Sequence, residues 1–157
     1  MIFATTGTQL PFDRFVKMLD EIAPLLGNEE FIVQAIPKDY VPRNFALRSF
    51  IAPDEFSDIM KKARLVVAHA GMGTIISSLE RCIPIVIVPR RADLGEHRSD
   101  HQMATARRLS AMGYVAVAHD ASELAARIKD ADVAVRPISG LASESLADAI
   151  LSVVENR

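Results

Sequence analysis

The segment HAGMGT, residues 69–74, has the composition of a loop that brings backbone rather than side chains to a ligand. It follows the apolar run RLVVA and precedes a segment with helical spacing. Gly71 and Gly73 permit a close backbone approach, and the first amides of a helix, with its dipole, favour an anion such as a diphosphate. A glycine pair after a strand also forms plain tight turns, so the residues alone leave both interpretations open.

Two further polar segments follow apolar runs. TTGTQLPF, residues 5–12, contains Gly7, which permits a tight turn, and its neighbours offer amides and hydroxyls. PRRADLGEHRSDHQ, residues 89–102, is a long polar loop of the kind that is usually functional or mobile in a compact domain. Gln102 stands where a helix is expected to begin, and its amide can bond two hydroxyls of a sugar.

The same long segment permits two other interpretations. His97 and His101 are four residues apart, and Glu96 and Asp100 lie beside them, which allows a metal site. The segment lacks an H-E-x-x-H pattern, however, and a solvated charged loop explains the composition equally well. No spacing indicates a Ser/His/Asp nucleophile set, and the apolar surroundings of Cys82 predict a buried, unreactive thiol.

Short runs rich in β-branched residues alternate with segments of helical period, which predicts a parallel sheet covered by helices. The predicted strands are MIFAT, EFIVQAI, LRSFI, RLVVAHA, PIVIVP and YVAVA. The predicted helices cover about 12–26, 53–63, a segment after the glycines, 101–112, a segment opening with Asp120 and Glu123 at capping-box spacing, and a last one with Leu146, Ile150, Val153 and Val154 on one stripe. We expect one α/β domain over residues 1–157, Rossmann-like and doubly wound with a mostly parallel sheet.

Composition narrows the function classes. The chain has 157 residues and a net charge of −2, so it has no basic footprint for nucleic acid. The lone cysteine favours a reducing compartment, the N-terminal segment does not have the pattern of a signal peptide, and no uncharged run reaches the ~20 residues of a membrane helix. We therefore expect a cytoplasmic protein that would reach a membrane only through a partner.

Taken together, the loops resemble the nucleotide-sugar-binding half of glycosyltransferase family 28. The resemblance lies in TTGTQLPFDRFV (5–16), HAGMGT (69–74), PIVIVPRR (84–91) and GEHRSDHQ (95–102), in the order and spacing of the family. It is nearest to the small donor-binding subunits of split enzymes, namely the dolichol-linked N-acetylglucosaminyltransferase and the bacterial exopolysaccharide glycosyltransferase pairs. It implies the C-terminal half of a GT-B fold.

The resemblance also implies a set of donor-binding residues. Gly7 and Thr8 match the loop that lies against the donor phosphates, and Gln102 matches a glutamine that contacts sugar hydroxyls. The full implied set is Gly7, Thr8, His69, Ala70, Gly71, Met72, Gly73, Thr74, Ser77, Glu96, His101 and Gln102. Two positions depart from the family: Ser77 stands where a glutamate usually bonds the ribose, and Cys82 where a glycine usually ends the helix. For the ribose contact, either Ser77 would act through water or Glu80 would substitute from a nearby turn.

The implied function is that of a donor-binding subunit in a two-component glycosyltransferase. It would move a sugar from a UDP-sugar to a polyprenyl-diphosphate-linked glycan, with UDP-sugar as substrate and neither a cofactor nor a protein-bound metal. One Rossmann-like half already takes ~150 residues, so a membrane-anchored partner is expected to bind the acceptor and supply the general base. The loops at 6–12 and 89–102 are the expected partner surface, to which the C-terminal helix would add unless its apolar stripe packs on its own sheet.

The residues are also compatible with two other functions. A nucleotide-sugar-binding module without transfer activity fits the departure at Ser77. A metal-dependent hydrolase would use His69, Glu96, His97 and His101.

Overall fold

A six-stranded parallel sheet organises the part of the chain that the computed structural model describes, residues 1–130. The strands are β1 (Ile2–Thr5), β2 (Phe31–Gln34), β3 (Leu47–Arg48), β4 (Leu65–His69), β5 (Ile85–Val88) and β6 (Ala116–Val117). Their order is β3-β2-β1-β4-β5-β6, and every pairing is parallel. This doubly wound order reverses between β1 and β4, which confirms the predicted fold class.

Helices cover both faces because successive strand residues point to opposite sides. The helices are α1 (Asp13–Ile22), α2 (Pro53–Lys62), α3 (Met72–Glu80), α4 (His101–Ala111) and α5 (Ala121–Asp130). Phe3 and Val66 pack with residues of α2, α3 and α4, whereas Ile2 and Val67 pack with residues of α1 and α5. The central strands are therefore apolar on both faces, as their near-continuous hydrophobic runs predict.

The helix boundaries follow local signals. A 3₁₀ turn at Ala23–Leu26 extends α1, and Gly27, with a φ of 67°, ends it. Asp120 accepts a hydrogen bond from the Glu123 amide at 2.8 Å, while the Glu123 carboxylate accepts from the His119 amide at 2.9 Å. The predicted capping interaction at α5 therefore forms, with its return bond one residue earlier than in the standard box.

The two edge strands are shorter than predicted. LRSFI contributes only Leu47–Arg48 and YVAVA only Ala116–Val117, and each strand pairs on one side alone. An outer strand lacks the second neighbour that extends the hydrogen-bonded ladder of a central strand. The predicted helix with the Leu146 stripe lies outside the described residues. Within residues 1–130, no helix combines the length and apolar character needed to cross a bilayer.

The prediction of a buried thiol at Cys82 is wrong. Cys82 is exposed and its φ of 55° lies in the left-handed region. The chain reverses there after α3: the amide of Cys82 donates to the Leu79 carbonyl at 3.1 Å, and the amide of Ile83 donates to the Ser78 carbonyl at 2.9 Å. These are the hydrogen bonds of a helix ending with a left-handed residue, and at this one the side chain is exposed although the flanking sequence is hydrophobic.

Candidate functional site

Three loops meet at the carboxyl ends of adjacent strands. The first loop, residues 6–12, follows β1; the glycine loop, residues 69–74, includes the end of β4; and the polar loop, residues 89–102, follows β5. A cavity of about 1270 Å³ lies between the glycine loop and the polar loop, and an adjoining one of about 270 Å³ is lined by the first loop and the polar loop. Both are lined by Gln9, His69, His97 and Gln102, so we treat them as one cleft.

The glycine loop turns tightly from β4 into α3. The amide of Gly71 donates to the His69 carbonyl at 2.8 Å, and α3 begins at Met72. No side chain caps this helix. The first amides of a helix have no acceptor within it, so those of residues 72–74 are available to an anion.

The glycines of the two loops have different surroundings. A Cβ on Gly71 would lie 2.2 Å from Nε2 of His69, and one on Gly7, whose φ is +71°, would lie 3.2 Å from Cε1 of the same ring. A Cβ on Gly73 would meet nothing within 4 Å. Gly7 and Gly71 therefore make room for the His69 ring, whereas Gly73 leaves open space above the start of α3.

His69 is a neutral group on the floor of the cleft. Burial, with the positive charge of Arg90, lowers the pKa of His69 to about 4, against a weaker opposing effect of the Thr5 backbone. Its Nδ1 atom is buried and makes no well-aligned hydrogen bond within residues 1–130. The imidazole therefore carries no charge near pH 7, and it retains one ring nitrogen as donor and one as acceptor.

The polar loop is fastened to α1 by an ion pair. Arg14 donates from Nε to Oε1 of Glu96 at 2.7 Å and from Nη2 to Oε2 at 2.9 Å. The same Oε2 accepts from the Arg91 amide at 3.0 Å, and Arg14 Nη2 donates to the Pro89 carbonyl at 2.8 Å. Both carboxylate oxygens of Glu96 are thus occupied, and in this structure the residue braces the loop rather than lining the cleft.

Gln102 does line the cleft, and one end of its amide has a partner. The side chain is 7% exposed, and its Oε1 accepts from the Arg90 amide at 3.1 Å. Its NH₂ group makes no hydrogen bond to the described part of the chain, which leaves two donors for a ligand.

Sequence reasoning missed Arg14 and Arg90, whose side chains hold the loops of this site in place. Arg90 is 2% exposed and lies 4.5 Å over the Phe12 ring. The local sequence signal for a buried Arg90 is its position: it is the first of two arginines and directly follows the apolar run PIVIVP.

The predicted residues fall into two groups, with Glu96 apart from both. Those that line the cleft are Gly7, Thr8, His69, Ala70, Gly71, Met72, His101 and Gln102. Gly73 and Thr74 are in the first turn of α3, and Ser77 follows on its next turn, half-buried. The structure thus brings most of the set to one cleft, with Glu96 behind it and Ser77 along α3.

The residues of the metal alternative do not form a ligand set. Across residues 1–130, no group of three or more His, Cys, Asp or Glu side chains is arranged to hold an ion. Glu96, a member of that alternative, is bonded to Arg14 instead.

Known proteins resemble this chain in sequence over much of its length. The mouse UDP-N-acetylglucosamine transferase subunit ALG13 is 28% identical over 123 residues, which cover 72% of this chain and 10% of that protein. The human protein of the same name is 27% identical over 124 residues, with 73% and 10% covered. The chain thus spans about a tenth of the length of these curated relatives.

Solved structures share the fold. The NMR structure of ALG13 matches with a TM-score of 0.56 and 22% identity, covering 87% of both chains. The kitacinnamycin glycosyltransferase matches with a TM-score of 0.59 and 17% identity, over 98% of this chain and 39% of that one. The calicheamicin glycosyltransferase CalG4 matches with a TM-score of 0.58 and 13% identity, over 97% and 38%. The fold is therefore that of one half of a GT-B glycosyltransferase.

The model of the glycosyltransferase family 28 C-terminal domain matches residues 1–135. That range includes all three loops and every strand of the sheet. This chain therefore belongs to the glycosyltransferase family 28 C-terminal domain family.

Proposed function

We propose that this chain is the donor-binding subunit of a two-component glycosyltransferase. It would bind a UDP-sugar, and the sugar would pass to a polyprenyl-diphosphate-linked glycan held by a membrane-anchored partner at the cytoplasmic face. Family membership supports the class of reaction. The observation that carries the proposal is the uncapped start of α3 at the glycine loop, which opens into the same cleft as Gln102.

The cleft offers a different chemical group to each part of a nucleotide sugar. The amides of residues 72–74, with the α3 dipole, suit the diphosphate and would stabilise the charge that develops on it as it leaves. The NH₂ group of Gln102 suits an oxygen of a sugar hydroxyl, because its carbonyl oxygen is already occupied by Arg90. Ser77, a turn along α3, would reach the ribose through water. No metal or cofactor has a part in this scheme.

The general base is assigned to the partner. Transfer needs a group that removes a proton from the acceptor hydroxyl. His69 is the imidazole on the floor of the cleft, and with a pKa of about 4 it is a weak proton acceptor at neutral pH. A separate subunit that aligns the acceptor would supply both the base and the proximity that transfer requires.

The test is to purify the chain alone and together with its candidate membrane subunit. Each preparation is assayed for UDP binding by calorimetry and for transfer from a panel of UDP-sugars to a polyprenyl-diphosphate glycan. We expect the isolated chain to bind UDP without turnover, and the complex to transfer. Robust transfer by the isolated chain would overturn the two-component proposal.

A second candidate function rests on Ser77. A serine at the position where the family has a ribose-binding glutamate fits a nucleotide-sugar-binding module without transfer activity. Donor binding with no transfer in the presence of the genuine partner would favour this module over the transferase.

Gln102 provides a sharper test of how the donor lies. Gln102→Ala should weaken UDP-sugar binding by roughly 1–3 kcal/mol, because sugar hydroxyls would lose their partner, and leave UDP binding nearly unchanged. Calorimetry with both ligands measures the difference, and a chelator should alter neither value. An equal loss for UDP and UDP-sugar would contradict the assignment.

A further inference from the structure

Arg90 is a buried cation whose hydrogen-bond acceptors are all backbone carbonyls. Its Nη2 donates to the carbonyl of Leu10 at 2.8 Å and to that of Thr6 at 3.3 Å, and its Nη1 donates to the carbonyl of Pro11 at 2.5 Å. A longer bond of 3.5 Å joins Nη1 to the Glu96 carbonyl. One side chain thus holds both ends of the first loop.

No carboxylate pairs with the Arg90 guanidinium within residues 1–130. The nearby Glu96 side chain is bonded to Arg14, and it influences Arg90 only through space. Burial lowers the pKa of the Arg90 guanidinium, and the Glu96 charge opposes that shift. An arginine still keeps its proton at neutral pH, so a positive charge lies beneath the first loop.

The first loop turns its carbonyls toward Arg90 and keeps amides unpaired. The amides of Thr8, Gln9 and Leu10 make no hydrogen bond to the described part of the chain. These residues and Arg90 line the same end of the cleft. Successive free backbone amides above a buried cation are suited to an anion.

We infer that Arg90 is a positioning residue that shapes the first loop for the diphosphate of the donor. It holds the loop by its carbonyls so that the loop amides stay free for phosphate oxygens, and its buried charge adds attraction from below. Its own amide orients Gln102, so the same residue connects the phosphate end of the cleft to the sugar end. The inference rests on the proposed function, because it takes the anion to be the diphosphate of a nucleotide sugar.

The experiment compares phosphate-dependent with phosphate-independent binding in Arg90→Met and Arg90→Lys. Arg127→Met is the matched control, because it removes one positive charge from the exposed face of α5. We expect Arg90→Met to weaken the affinity for UDP at least tenfold and to change the affinity for uridine by less than twofold. Arg127→Met should leave both affinities unchanged. The UDP affinity of Arg90→Lys should lie between those of Arg90→Met and the wild type, because lysine restores the charge but lacks the forked guanidinium that reaches several carbonyls.

A second measurement does not depend on the variants folding. Inorganic pyrophosphate added to ¹⁵N-labelled wild type should shift the amide signals of Thr8 and Gln9. Absent shifts there, or equal losses of UDP and uridine affinity in the folded Arg90 variants, would overturn the inference. Wild type that binds pyrophosphate at these amides but not UDP would instead contradict the proposed function and leave the positioning role standing.

Discussion

The glycine loop and the polar loop form two walls of the cleft, and they keep their shapes by different means. The polar loop is fastened by charged side chains: Arg14 to Glu96, Arg91 to Asp93, and Asp100 to the Ala92 amide. The glycine loop has no ion pair in the described structure, and the helix that follows it has no side-chain cap. One wall uses side chains to hold backbone in place, whereas the other keeps its backbone free for a ligand.

The largest expected loss of stability comes from a substitution in the glycine loop. Gly71→Val should destabilise the protein by about 3 kcal/mol, because its Cβ would collide with the His69 ring, which is largely enclosed between the loops. Urea unfolding measures this. Gly73→Ala is the control: its Cβ meets open space, and helix propensity predicts a stability gain of up to ~1 kcal/mol. Equal losses in the two variants would show that the two glycines do not differ in this way.

A pH titration tests the neutral histidine of the same wall. The pKa of His69 is about 4 in the folded chain against an ordinary 6.5, so between these values the unfolded chain binds more protons. Stability due to His69 is therefore fully present above pH 6.5 and declines as pH falls toward 4, by about 3 kcal/mol. The His69 ring signal in NMR should titrate near 4, and His69→Gln should remove this part of the pH dependence. A ring that titrates near 6.5 would contradict the burial argument.

Removing the Glu96–Arg14 ion pair from the polar loop should reduce stability by less than the Gly71 substitution does. Glu96→Gln should destabilise the protein by about 2 kcal/mol, because the bidentate pair with Arg14 is largely shielded from solvent. Asp93→Asn removes the exposed pair with Arg91, which solvent screens, and should leave stability nearly unchanged. Thermal unfolding of the two variants gives the comparison, and similar losses would mean that the Glu96 pair does not brace the loop.

The smallest effect is expected at the far end of α3. Cys82→Gly should stabilise the protein by about 0.5–1 kcal/mol, because glycine adopts a positive φ without the strain of a Cβ. Cys82→Ser keeps the Cβ and should leave stability unchanged. A thiol reagent should modify native Cys82 readily, since it is exposed. A destabilised glycine variant would mean that this side chain stabilises the end of α3.

The positions of the strands and helices were predictable because their signals are local. The apolar run at residues 65–68 lies in a central strand, and the spacing of Phe15, Val16 and Leu19 on α1 buries one face. The edge strands were predicted too long, because propensity does not report whether a strand has one neighbour or two. Hydrophobic neighbours likewise predicted burial at Cys82, where the end of α3 turns the side chain outward.

The pattern of residues alone determined that glycines and polar loops follow buried strands, and a parallel sheet then carries those loops to one edge. What only the tertiary structure decided are the contacts between residues far apart in the chain. Arg14 meets Glu96, Arg90 reaches the carbonyls of Thr6 and Leu10, and the His69 ring is set beside Gly7. A guanidinium bonds the acceptors that the fold brings within its reach, and the distance between them in the folded chain does not follow from their spacing in the sequence.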